Sequence, residues 1–286
     1  MEGHGRSETA IAGEWLADLV ARAKADGVFA IPIDLTPARA EVLLNRNPDN
    51  RNLSETRVTL MARDIQTAAW TFNGEPIIVS DDGWLNDGQH RCWAVVESGM
   101  TIRVMLVVGV SRDSRTTVDQ GDIKRLAHLL AMEGYQNTTQ LAAVASLAWQ
   151  YDRLGRLGVN VGERPSKSEG MAYIKEHPGV VRSVSACQHR GVRIVGGPAM
   201  VALMHWIITR RAGLEAADSF VEALTHGVGL SMGDPILYAR NRLIGGRMRS
   251  DEKLELLIKA WNAHRDGHQN VRSFQLSSGL MPRVSK

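Results

Sequence analysis

The apolar pattern of this chain changes period at one short polar run, Asp87-Gly-Gln-His-Arg91. Upstream, Pro76-Ile-Ile-Val-Ser80 reads as a short buried strand, Asp81-Asp-Gly83 as a tight turn, and Trp84-Leu85 as the returning strand. Downstream, Trp93, Val96 and the Ala94-Val95 pair between them give a helical apolar face that stops at Gly99. A strand, a glycine turn and a helix start in that order gather backbone N–H groups and the positive end of a helix dipole around the turn. Such a place attracts phosphate. His90 and Arg91 set a titratable donor and a permanently charged bidentate donor beside those amides, a combination suited to the phosphates of a nucleotide. The plainer account is a common Asp-Gly turn followed by locally satisfied side chains, and the flanking chain decides between them.

That flanking chain reads as mixed α and β. Ala10 to Ala25 carries Ile11, Trp15, Leu16, Leu19 and Val20 on one helical stripe, so residues 1–30 are expected to form a lead-in helix. Phe29 to Leu35 alternates as a strand, and Thr36-Pro37 supplies an N-cap with proline at the first helical position for Ala38 to Leu44. Asn45 to Asn52 is a polar loop, and Ser54 is a natural cap for a helix from Glu55 to about Ala69.

Gly74-Glu-Pro-Ile-Ile-Val-Ser80, Leu85-Asn-Asp-Gly-Gln-His-Arg91, Ala94, Ser98-Gly99 and the strand Ile102 to Val108 together resemble the ParB/sulfiredoxin-like superfamily. Within it they look like the branch carrying an Asp-Gly-x-His-Arg box, which includes DndB-like proteins, ADP-dependent serine kinases and many phage and mobile-element proteins. The resemblance covers residues 30 to 114 and is more specific for fold than for activity. It implies that Gly88, Gln89, His90 and Arg91 cradle nucleotide phosphates, with ATP or CTP as the nucleotide, and that Asn52, Ser54 or Arg57 touch the ligand. Sulfiredoxins carry cysteine where this chain has Gln89, so thiol–phosphate chemistry is not expected. Cys92 falls on the helix, where burial as a small apolar residue is the expectation. ParB partition proteins associated with CTP carry a Gly-Glu-Arg-Arg form of the box, so the His-Arg form leaves the base open. Asp87 either holds Mg²⁺ beside a phosphate, with Asp87 and His90 as the candidate catalytic groups, or simply forms the turn.

After Val110 the alternation disappears. Helical windows follow at Asp122–Met132, Thr138–Leu154, Pro178–His189, Pro198–Ala212, Ala216–Leu224, Pro235–Leu243 and Asp251–His264, and Ser166-x-x-Glu169 is a capping box opening another. The segment from Gly155 to Pro165 reads as a mobile loop. The fold class expected is therefore α+β: a small ParB/sulfiredoxin-like N-terminal domain over residues 31–114, then an all-α domain over 115–286. The 286 residues suffice for two cores.

Charge divides at the same place. Residues 1–114 hold 11 Lys and Arg against 16 Asp and Glu, whereas 115–286 hold 23 against 15, so a net −5 half precedes a net +8 half. A basic half invites a polyanion, and DNA is the partner this suggests. Arg210-Arg211, Arg240 with Arg242 and Arg247 with Arg249 form clusters near helix ends, where cations also complement the helix dipole. Lys259, Trp261 and Asn262 on one helix suit contact with a polyanion or a base, although a core tryptophan flanked by solvated groups is the simpler arrangement.

Several chemistries are not indicated. Two cysteines without CxxC spacing give neither a disulfide framework nor a zinc site, and the histidines show no HExxH pattern. No Walker loop, Rossmann glycine pattern or G-x-S-x-G elbow occurs. No apolar run approaches the length a bilayer needs and the first residues lack signal-peptide character, so a soluble cytoplasmic protein without a membrane partner is expected. The leading functional expectation is a nucleotide-switched DNA-binding or DNA-metabolism protein of a phage or mobile element. A Mg²⁺-dependent phosphotransferase acting on a small hydroxyl compound or modified nucleobase is the first alternative, and a DndB-like regulator without catalysis the second.

Overall fold

A computed structural model describes residues 7–47, 53–116, 125–158, 160–277 and 279–286. The chain divides into two compact units, residues 1–123 and 124–286.

The first unit is built in the order α1 (Glu8–Asp26), β1 (Phe29–Leu35), α2 (Pro37–Leu44), α3 (Glu55–Gln66), β2 (Pro76–Ser80), β3 (Leu85–Asp87), α4 (Gln89–Ser98) and β4 (Ile102–Val110). The four strands form one sheet in the order β1-β4-β2-β3. β4 pairs antiparallel with β1 and parallel with β2, while β3 returns antiparallel along β2. A parallel β2–β4 pair needs a crossover, and β3 with α4 supply it. Leu35, Ile77, Val79, Leu85, Val104, Leu106 and Val108 from the strands share one core with Leu43, Val58, Ile65, Cys92 and Val95 from the helices. α1 adds Leu16 and Ala23 to that same core, so the lead-in helix is part of the unit.

Local signals account for several ends. Thr36 Oγ1 accepts from Arg39 N at 3.2 Å with Pro37 at the first helical position, and Gly99 closes α4 in the left-handed region. Two expectations shift. α3 stops at Gln66 because Ala68 takes a positive φ and the Ala69 and Trp70 amides turn back to Asp64 O. Of the expected apolar face of α4, Ala94 and Val95 are buried and Val96 packs partly buried against the core, whereas Trp93 is 40 % exposed; the buried face also takes in Cys92, Gln89, His90 and Arg91. Polar first-turn residues thus occupy the side that hydropathy assigned to the surface.

The second unit, within its described residues, is all helical: α5 (Leu126–Met132), α6 (Thr138–Leu154), α7 (Lys167–Glu176), α8 (Gly179–Ala186), α9 (Gly191–Ile194), α10 (Pro198–Ala212), α11 (Leu214–His226), α12 (Pro235–Gly245) and α13 (Ser250–Arg265). α10 is the central helix, buried from Met200 to Ile208 almost all round. The capping box of Ser166 and Glu169 opens α7. The window from Pro178 to His189 is not one helix; it breaks after Ala186, and a separate turn, α9, follows. The stretch from Gly155 to Pro165 contains a short 3-10 helix at Val161–Glu163, where Glu163 accepts from Arg156 Nη2 at 2.6 Å and from Asn160 N at 3.2 Å. These two bonds tie Glu163 to Arg156 and Asn160 within the loop.

Candidate functional site

The Asp-Gly-Gln-His-Arg box lies where β3 hands the chain to α4. Gly88 takes φ +107°, and a Cβ there would stand 2.8 Å from Ile77 Cγ1. Glycine is therefore required twice, for the backbone conformation and for the close approach to β2. No side chain caps the helix behind it, and the positive end of the α4 dipole lies at this turn.

The three residues after Gly88 turn inward. Gln89, His90 and Arg91 are 6, 7 and 7 % exposed. His90 Nε2 accepts from Ser54 N at 3.1 Å, and Gln89 Oε1 accepts from Asn47 Nδ2 at 3.2 Å. Both bonds fasten α4 to the segment joining α2 and α3, so the structure brings the box and the predicted Ser54 region together. An accepting Nε2 carries no proton, which assigns any N–H of a neutral His90 ring to Nδ1. Ser54 stands at the N-cap position of α3 without a side-chain cap bond, contrary to the expectation from its type; its amide serves His90 instead. Arg57 lies half-buried in the first turn of α3, and Asn52 lies outside the described residues.

Arg91 departs from the phosphate-donor picture. Its Nη1 donates to Glu75 O at 2.6 Å and its Nη2 to Pro76 O at 2.7 Å, with Asp87 Oδ2 3.7 Å from Nη2. The guanidinium fork closes over two backbone carbonyls at the start of β2, which commits one N–H of each terminal nitrogen there. Asp87 keeps 30 % of its side chain exposed and leans toward Arg91. Among the described residues no cluster of three or more His, Cys, Asp or Glu side chains is arranged to hold a metal. A Mg²⁺ ion at Asp87 would thus rely on fewer than three such side chains among the described residues, with phosphate and water completing the shell. Burial pushes the Cys92 thiol up to about 12, with Asp87 adding to the rise and Arg91 opposing it.

In the second unit, Trp261 is 2 % exposed and its indole N–H donates to Ser285 O at 3.0 Å. Asn262 Nδ2 donates to Arg283 O at 2.8 Å and its Oδ1 accepts from Ser285 N at 2.9 Å. Lys259 donates to Gln275 O and pairs with Glu255 at 2.8 Å. These three residues grip the irregular segment that follows α13, which corrects the expectation of a base-stacking or polyanion surface: a ring buried under its own chain presents no face to a base. The arginine clusters are partly committed as well. Arg210 pairs with Asp152 at 2.6 Å, and Arg240 donates to the carbonyls of Leu224 and Thr225.

Sequence reasoning missed one polar constellation. Fully buried His205 on α10 joins Ser183 Oγ of α8 through Nδ1 at 2.9 Å and Asp218 Oδ1 of α11 through Nε2 at 2.8 Å. The residue types are those of a hydrolase triad, but Ser183 is buried at 1 % exposure and no substrate carbonyl can reach its hydroxyl. The network ties three helices together. Only the long spacing of three unremarkable residues encodes it.

No family model, no curated protein and no solved structure matches this chain. The ParB/sulfiredoxin-like likeness therefore rests on the quoted residues alone.

Proposed function

We propose that the first unit binds a nucleotide through its phosphates at the Gly88 turn, and that the second unit engages DNA under its control. The observation that carries this reading is the opening of α4: an uncapped helix N-terminus behind a left-handed glycine, with His90 and Gln89 joining it to the Asn47 and Ser54 segment. The positive end of a helix dipole attracts an anion, and the neighbouring α2–α3 segment supplies polar groups for the rest of a ligand. ATP or CTP with Mg²⁺ fits the box resemblance, and a phage or mobile-element setting fits its branch.

Charge supports the DNA half of the proposal. Counted by structural unit, residues 1–123 hold 12 basic and 18 acidic side chains, and residues 124–286 hold 22 and 13. The division by charge is sharper at the structural boundary than at residue 114.

A second reading is favoured by one specific observation, the closure of Arg91 over the carbonyls of Glu75 and Pro76. In it the box is a structural staple and the protein a regulator without catalysis. A thermal-shift panel of nucleotides with Mg²⁺ separates the two, because a ligand that binds only the native state raises its melting temperature. Stabilisation by ATP or CTP that His90→Ala abolishes supports nucleotide binding. Absence of any nucleotide effect, with DNA binding retained in His90→Ala, supports the staple.

A further inference from the structure

Within the first unit, α1, α2 and the turn between β2 and β3 border an open groove of about 310 Å³, the size of a small-molecule site. Its floor is apolar: Leu16 is buried, and Val20 and Val42 are half-buried. The wall that α1 contributes is Gly13, Ala17 and Ala21 at four-residue spacing, so no long side chain fills the space. A Cβ on Gly13 would meet nothing within 4 Å. Close packing therefore does not require glycine there, although glycine weakens a helix interior relative to alanine. Opposite, a Cβ on Gly83 would lie 3.4 Å from Val20 Cγ2, so the turn meets α1 at Val20 and bounds the groove.

Three charged residues border the groove, Lys24, Arg46 and Asp82, and they are not equally committed. Asp82 accepts from the Ser80 hydroxyl, which with the Trp84 and Asp82 amides and the field of Arg112 holds its carboxyl below the usual carboxylate range. That negative charge already has its donors. The Lys24 ammonium forms no hydrogen bond or ion pair among the described residues. The Arg46 guanidinium stands over the Trp84 ring at 5.6 Å and pairs with no carboxylate among them. The charge left uncompensated around this apolar floor is positive.

We propose that this groove binds a small aliphatic carboxylate, its hydrocarbon chain against Leu16, Val20 and Val42 and its head group met by Lys24 and Arg46. Removing the chain from water supplies the affinity, and the two cations choose the sign of the head. The groove is separate from the Gly88 turn and does not depend on a nucleotide there, yet the backbone joins the two places. Arg46 O accepts from Leu85 N at 2.6 Å, and the next residue, Asn47, donates to Gln89 at 3.2 Å.

The test titrates the full chain by calorimetry with octanoate, octylamine, leucine and acetate, beside the variants Lys24→Gln, Arg46→Gln and Gly13→Leu. Octanoate is expected to bind once per chain, octylamine not at all, and acetate more weakly than octanoate by about a hundredfold or more, since it has no chain to bury. Lys24→Gln and Arg46→Gln are each expected to weaken octanoate by about fivefold or more. Gly13→Leu places hydrocarbon in the open space: its melting temperature equals or exceeds that of the wild type, and octanoate binds about tenfold or more weakly. Equal binding of octanoate and octylamine means an indiscriminate apolar surface, and equal binding of acetate means a pair of cations without a pocket. Leucine binding more tightly than octanoate assigns the groove to a zwitterion, with Asp82 taking the ammonium, and a dimer in sedimentation that Gly13→Leu dissociates assigns it to a second copy of the chain. Each of these four results overturns the proposal, as does the absence of octanoate binding. Should Gly13→Leu fail to fold, backbone amide resonances of the wild type decide: octanoate moving those of Val20, Val42 and Arg46 upholds the site, and shifts that leave these three in place refute it.

Discussion

Arg91 and Pro76 are joined by a 2.7 Å hydrogen bond from the guanidinium Nη2 to the backbone carbonyl, and the neighbouring Nη1 holds Glu75 O at 2.6 Å. The first turn of α4 thus clamps the first residues of β2. Arg91→Ala removes two charge-assisted bonds and leaves two carbonyls to find other partners, a loss of about 3 kcal/mol. Arg91→Lys, able to reach one carbonyl, retains about half of that contribution. Urea unfolding followed by circular dichroism measures both, and an Arg91→Ala midpoint equal to wild type would falsify the clamp.

Gly88→Ala combines an unfavourable φ of +107° with a Cβ 2.8 Å from Ile77 Cγ1. The expected cost is about 2–3 kcal/mol. Ile77→Ala, by opening the space the new methyl needs, recovers part of it in the double variant, so the two effects are coupled rather than additive. Strict additivity in a double-mutant cycle would show that strain at the backbone acts alone.

His90→Ala strips the acceptor from Ser54 N and loosens the α2–α3 segment from α4. The expected loss is about 1–2 kcal/mol. Hydrogen exchange gives the sharper readout: the Ser54 amide exchanges at least tenfold faster in the variant, while amides of β4 keep their protection. Unchanged exchange at Ser54 contradicts the assignment.

Burial pushes the thiols of both Cys92 and Cys187 up to about 12 from an ordinary value of 9.0. For a group whose folded pKa is raised, stability is fully present below the unfolded pKa and is lost as pH rises toward the folded one. Between pH 9 and 12 each thiol therefore withdraws stability from folding as pH rises, by at most about 1.4 kcal/mol per pH unit. Cys92→Ala flattens that alkaline slope in urea titrations at pH 8, 9.5 and 10.5. The native thiols also react slowly with a disulfide reagent at pH 8 and rapidly after unfolding.

Glu255 is 1 % exposed and accepts from Ser277 N at 3.0 Å, from Ser277 Oγ at 2.9 Å and from Lys259 at 2.8 Å. Glu255→Ala strands a half-buried ammonium and releases the following segment, at a cost of about 3 kcal/mol. A red shift of tryptophan emission accompanies it if Trp261 loses its cover from Ser285. Emission that stays put means the segment remains docked without the carboxylate.

Much of this architecture was readable from local pattern. The strand at Phe29–Leu35, the Thr36-Pro37 start of α2, the capping box of α7 and the apolar face of α6 at Leu141, Val144, Ala145 and Ala148 all follow from near-neighbour rules. The early end of α3 did not, because the positive φ of Ala68 and the amides turned back to Asp64 override helical periodicity there, and neither did the break after Ala186, where the Cys187 amide turns back to Val184 O. At the box, the glycine turn was legible and the fate of the side chains was not. Trp93 faces outward while Arg91 faces in, since two carbonyls of β2 satisfy a guanidinium that hydropathy ranks as a surface group.

By itself the sequence determined where the chain turns and which segments are helix or strand, for those follow from φ limits, caps and the spacing of apolar residues along a few turns. It also determined the charge division. Only the tertiary structure decided which partner each polar group meets: Ser54 for His90, Pro76 for Arg91, Asn86 for Arg112, Ser285 for Trp261. Those partners lie 15 to 36 residues away in the chain. A hydrogen bond depends on ångström-scale placement that packing sets after the elements form, and no local pattern carries that information.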